Sequence, residues 1–136
     1  MRYVLDANIA IAAMNGVVAV RDRLARIGAA EVGIPLVAIA ELVFGAYRSR
    51  RREENLARVT ALRQTVHVLP VTDEVVDRYG ATRADLESRG IVKSDFDLVI
   101  ACTALEQGAV LVSSDRALLD GSIAGLQAEN WLAPTG

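Results

Sequence analysis

The stretch Ser94–Asp115, SDFDLVIACTALEQGAVLVSSD, reads in order as a capped helix, a stop, a strand and an acid. Ser94 with Asp97 three positions on has the form of a capping box, with aspartate where glutamate or glutamine is favoured. The helix runs to about Gln107, and Gly108 is its expected stop. Val110 to Val112 is the most hydrophobic strand of the chain and ends in Ser113-Ser114-Asp115. Such helix-to-strand units, repeated, build a parallel α/β sheet.

The rest of the chain repeats that alternation. A strand from Tyr3 to Leu5 ends at Asp6, and a short helix follows from Ile9. A second helix covers Val18 to Ile27. The next strand is Glu31 to Ile34, with Pro35 opening a helix where proline is tolerated. Arg51 to Gln64 reads as an exposed amphipathic helix with Leu56, Val59 and Leu62 on its inner face. Val66 to Leu69 is a strand stopped by Pro70, Asp73 to Glu87 is a helix ended near Gly90, and Leu126 to Ala128 is a last strand before Trp131. No linker or repeat interrupts the pattern, so residues 1–136 are expected to form a single domain.

The bulk numbers narrow the class. A chain of 136 residues with 52% hydrophobic content can enclose a core and is not disordered. A net charge of −2 supplies no global attraction to nucleic acid, so any such binding must come from local basic patches. The single cysteine, Cys102, excludes an internal disulfide and a multi-cysteine zinc site, which fits a cytoplasmic protein. Neither a signal peptide nor a transmembrane helix is expected.

Four carboxylates stand out. In Ile34–Tyr47, IPLVAIAELVFGAY, the only charge is Glu41. The segment is too short to span a bilayer and reads as a helix packed inside the domain, where a lone carboxylate is costly to bury. Glu41 therefore needs a base, a shared proton or a metal ion, the bland alternative being an arginine partner. Asp6 and Asp115 fall just past strand ends, the edge at which open α/β sheets bind ligands where strand order reverses. Asp97 lies in the first turn of its helix and Glu41 in the second turn of its own, so all four are expected at one edge. Each aspartate also has a plain structural reading, as an N-cap or part of a capping box. His67 and Cys102 read as structural residues. Arg48, Arg50, Arg51 and Arg52 read as a solvated helix end able to hold phosphates.

With those residues in place, the chain resembles the PIN-domain ribonucleases, most closely the VapC-type toxins of bacterial toxin–antitoxin pairs. The likeness rests on LDAN at the start, AEL around Glu41, DLVIACTALEQGAVLVSSD from Asp97 to Asp115, and GLQAENW near Trp131. It implies a three-layer α/β fold with a mainly parallel central sheet flanked by helices. Asp6, Glu41, Asp97 and Asp115 match the family's four acidic positions, and Asn8 and Ser113 its polar supporting positions. Many relatives carry Thr or Ser where this chain has Ala7. The family also often has an aromatic residue at the position of Leu118 or Leu119.

The resemblance implies endoribonuclease activity on structured RNA, a cognate antitoxin and a homodimer. Carboxylates with no histidine or cysteine among them suit Mg²⁺ or Mn²⁺ rather than zinc. Asp6 and Asp97 are the expected direct ligands, with Glu41 and Asp115 binding directly or through water. The competing expectation is a PIN-fold binding module that acts through a DNA-binding antitoxin in transcriptional control, with little nuclease activity. A phospho-acceptor domain is disfavoured, because the strand taken as central ends in Leu69-Pro70 rather than an aspartate.

Overall fold

The structure is a computed structural model and describes residues 1–133. Five strands, β1 (Tyr3–Leu5), β2 (Val32–Pro35), β3 (His67–Leu69), β4 (Val110–Val112) and β5 (Ala128–Glu129), form one sheet in the order β3-β2-β1-β4-β5. Every pairing is parallel. Around it lie α1 (Ala7–Met14), α2 (Val18–Ile27), α3 (Leu36–Arg48), α4 (Arg52–Thr65), α5 (Asp73–Ser88), α6 (Asp95–Gln107) and α7 (Arg116–Leu119). The expected α/β architecture is present, with the sheet parallel throughout.

Helices on both faces leave the central strands no access to water, which is why those strands are short and apolar rather than alternating. Val4, Ile34, Leu111 and Val112 are fully buried, and Trp131 seals one end, edge-on to Tyr3 with ring centroids 5.3 Å apart. Gly33 lets β2 and β3 close up: a Cβ there would lie 2.7 Å from Leu69 Cδ1. Gly108 ends α6 in the left-handed conformation at φ 61°, the geometry that favours glycine.

The structure departs from the sequence reading at two strand starts and in the burial of one helix, among smaller shifts of element ends. Ala29–Glu31 is a 3₁₀ turn, so β2 starts at Val32 and runs through Pro35. Leu126 belongs to the preceding turn, its N–H donating to Ile123 O at 3.2 Å, and β5 starts at Ala128. A two-residue edge strand is placed by its pairing with Leu111 and Val112, which local sequence cannot encode. The third correction concerns α3. It buries Ala38, Ile39, Leu42 and Ala46, but Phe44 is 61% and Tyr47 52% exposed. The helix is packed on one face only, and Glu41 lies on its exposed side.

Sheet order places the switch. Strands proceed outward from β1 to β2 and β3 on one side, and from β4 to β5 on the other. The reversal therefore falls between β1 and β4, where loops diverge and leave a crevice at the strands' C-terminal ends. β3, taken as central in the sequence reading, is an edge strand. The strand in the middle is β1, and it ends in Asp6.

Candidate active site

Asp6 follows β1 and Ser113 follows β4, and the register pairing Leu5 with Val112 sets them side by side. Asp6 is 5% exposed and Ser113 fully buried. The Ser113 hydroxyl donates to Asp6 Oδ2 and accepts from the Asp115 N–H at 3.0 Å. One hydroxyl thus joins the two acids that leave the central strands. Asp6 Oδ1 also accepts from the Ile9 N–H at 3.2 Å and caps α1. Asp115 caps α7, accepting from the Ala117 N–H at 2.9 Å. At α6 the Asp97 N–H donates to Ser94 Oγ at 3.2 Å.

The capping readings of all three segments hold, and none takes the aspartate concerned away from the crevice. A cap uses one lone pair of one oxygen, leaving the rest of a carboxylate's acceptor capacity free. The caps fix where the acids point.

Charge coupling shows the gathering. Asp6 titrates above the ordinary aspartate range, chiefly because it is buried. Hydrogen bonds from Ser113 and Ile9 oppose the rise, while Asp115 and Asp97 add to it. Glu41 is raised by partial burial, then by Asp97, Asp6 and Asp115 in that order. Asp97 is raised by burial and by the neighbouring Asp115 carboxyl, and it is drawn down by the Ser94 hydrogen bond and by Lys93. Like charges disfavour ionisation only at close range, so the structure brings Asp6, Glu41, Asp97 and Asp115 together.

Glu41 reaches this group from the open side of α3, not from the interior. It has no arginine partner among the described residues. Beside it runs a groove of about 240 Å³ between α1, α3 and α4, lined in part by Ile11, Met14 and Val59. The other three acids do not line that groove.

Asn8, expected as a supporting residue, lies exposed in the first turn of α1 and makes no hydrogen bond to the acids. Asp95 points away, accepting from Tyr79 Oη at 2.6 Å and Arg83 Nη1 at 3.0 Å. Cys102 is fully buried with its Sγ 3.8 Å from Thr82 Oγ1, a core residue. Arg48 and Arg52 stack over Phe44 and Tyr47 at 5.5 and 5.3 Å.

The PIN domain model matches residues 3–122. The chain belongs to the PIN-domain family. This also excludes the phospho-acceptor reading, for which the position of β3 was no sound ground. The PIN domain is 29% identical over 132 residues to the tRNA(fMet)-specific endonuclease VapC of Shigella flexneri, covering 96% of this chain and 98% of that protein. It is 27% identical over 135 residues to ribonuclease VapC2 of Rickettsia felis, with the same coverages. Among solved structures it resembles a DNA-bound VapBC from Salmonella typhimurium. There the TM-score is 0.88 and the identity 27%, over 96% of this chain and 98% of that one. A second is VapBC2 of Rickettsia felis bound to a promoter DNA fragment, with a TM-score of 0.86 at 26% identity, over 96% and 99% of the two chains.

The acids also pass a test of chemistry. Four carboxylates and a serine form an all-oxygen donor set, which suits a hard divalent cation. Three of them are held above their ordinary range by burial and mutual repulsion, a condition that a cation relieves. Among the described residues, no three such side chains already surround one point that an ion would take. Glu41, exposed on its helix, is the acid freest to move.

Proposed function

We propose that this PIN domain is a VapC-type endoribonuclease, dependent on a divalent cation and acting as the toxin of a toxin–antitoxin pair. The observation that carries the reading is the meeting of four carboxylates at the β1/β4 switch point, in a chain that VapC ribonucleases match from end to end. Asp6 and Asp97 are the proposed direct ligands of Mg²⁺ or Mn²⁺, with Glu41 and Asp115 binding directly or through water. When bound, the cation supplies Lewis-acid activation of water and neutralises charge at the phosphodiester.

The protein's own contribution is placement. Ser113 holds Asp6 and Asp115 in fixed relation, and Ser94 fixes the first turn of α6 and so Asp97. Burial of Asp6 excludes water from one side of the site. Glu41, raised and exposed, is suited to hold or move a proton at the reacting water. The arginines at the α3–α4 turn begin seven residues beyond Glu41, or ~10 Å along the helix, and supply local phosphate contacts that the net charge does not.

The substrate is proposed to be structured RNA, and tRNA(fMet) is the first candidate to test because two relatives are specific for it. The proposed partners are a cognate antitoxin and a second copy of the chain. The proposed compartment is the cytoplasm; among the described residues no helix is long and apolar enough to cross a membrane. Incubating purified protein with tRNA(fMet) and Mn²⁺, with and without chelator, tests the activity. A pure binding module would leave the RNA intact in both.

A further inference from the structure

Lys93 is the only lysine among the 15 basic residues of this chain. The other basic side chains are arginines, largely on the surface, whereas the Lys93 side chain is 3% exposed. Its ammonium donates to Ala117 O inside α7 and to Asp120 Oδ2 at 2.9 Å just after it. Asp120 is held in turn by the Ser122 N–H at 3.0 Å and the Ser122 hydroxyl at 2.6 Å. Arg89 continues the chain of contacts, donating to Ser122 O at 2.8 Å and to Asp85 Oδ2 at 2.7 Å. One compact cation therefore ties the segment before α6 to both ends of α7.

Those two elements carry two of the four acids. Lys93 immediately precedes Ser94, the cap that fixes Asp97, and Ala117 is the residue whose N–H the Asp115 side chain caps. An α7 of four residues has too few backbone bonds to hold its own position. Its placement depends on outside contacts, of which Lys93 is the charged and buried one. The ammonium meets its two acceptors as a compact point donor.

We propose that Lys93 is a positioning residue that sets the distance between Asp97 and Asp115, and so prepares the carboxylate site for its cation. This rests on the metal-dependent reading above. The proposal has a sign that simple electrostatics does not share. Removing a positive charge that acts on Asp97 should tighten cation binding; removing a positioning contact should weaken it.

The test is a titration of free Mn²⁺ by its electron paramagnetic resonance signal, with wild type, Lys93→Met, Asp120→Asn and the double variant, each checked for folding by circular dichroism. Lys93→Met is expected to raise the Mn²⁺ Kd by about tenfold, the effect of losing an outer-shell partner. Asp120→Asn should raise it by less, and should add nothing in the Lys93→Met background. Cleavage of tRNA(fMet) should fall in kcat with KM for RNA unchanged, because Lys93 does not reach solvent. An unchanged or tighter Kd in Lys93→Met overturns the proposal. If that variant does not fold, Asp120→Asn decides: a raised Kd supports the proposal and an unchanged Kd overturns it. Wild type that binds no Mn²⁺ would instead refute the functional reading on which this rests.

Discussion

The Ser113 hydroxyl donates to Asp6 Oδ2 across 107 positions of chain, joining the ends of the two central strands. The same oxygen accepts from the Asp115 N–H at 3.0 Å. The first contact follows from the β1–β4 register and the second from the local turn after β4; together they turn a sheet edge into a fixed pair of acids.

Ser113→Ala should therefore cost both stability and function. It leaves a buried carboxylate oxygen and a backbone N–H without their partner, a loss of ~1–3 kcal/mol. Urea unfolding measures it, with an expected drop in midpoint at unchanged slope. Ser113→Thr should keep the hydroxyl and most of the stability.

Asp6→Asn separates capping from catalysis. Asparagine caps helices as well as aspartate does, so α1 should stay in place and the fold should survive. The ionised donor is lost, and cleavage should fall on the order of a hundredfold or more. Melting temperature and cleavage rate of the same preparation decide it; parallel losses would assign Asp6 to the fold alone.

Without metal, stability should fall as pH rises. Asp6, Glu41 and Asp97 all titrate above their ordinary values, so the folded protein binds their protons more tightly than the unfolded chain does. Their stabilising share is complete below the ordinary carboxylate range and disappears as pH climbs through the raised values. Asp97→Asn removes part of that repulsion and should raise the apo melting temperature at neutral pH. Mn²⁺ should raise the wild-type value and leave Asp97→Asn nearly unchanged. Melting curves at two pH values, with and without Mn²⁺, check all three.

The open face of α3 should mediate association. Phe44 and Tyr47 remain 61% and 52% exposed, with Leu36 at 42% on the same helix, and large exposed apolar side chains grouped on one element mark a contact surface. Phe44→Asp is expected to leave the fold intact and shift sedimentation toward the monomer. A monomeric wild type at every concentration would count against this.

Much of this was legible in the chain, and what was hidden has physical reasons. Val18–Ile27 and Val110–Val112 were readable to the residue because glycines and polar turns bound strongly apolar or periodic runs. β5 starts two residues and ends one residue later than its own sequence suggests, since its bounds come from pairing with β4 and not from its own side chains. Strand order is wholly non-local, so the edge position of β3 could not be read. Glu41 was expected inside because its neighbours are apolar, but α3 leaves Phe44 and Tyr47 in solvent, and apolarity on an unpartnered face mimics burial. Asn8 matched its motif and lies exposed, with no hydrogen bond to the acids. Lys93 was missed because a lysine in a loop normally reads as solvated; its being the chain's only lysine was the available signal.

The most direct test of the account is cleavage of tRNA(fMet) by purified wild type, Glu41→Gln and Asp97→Asn, each with Mn²⁺ and with excess chelator, mapped by sequencing new 5′ ends. The account predicts discrete cuts by wild type with Mn²⁺, none in chelator, and none by either variant in any condition. Cuts that persist in chelator, or that Asp97→Asn makes at the wild-type rate, would contradict it.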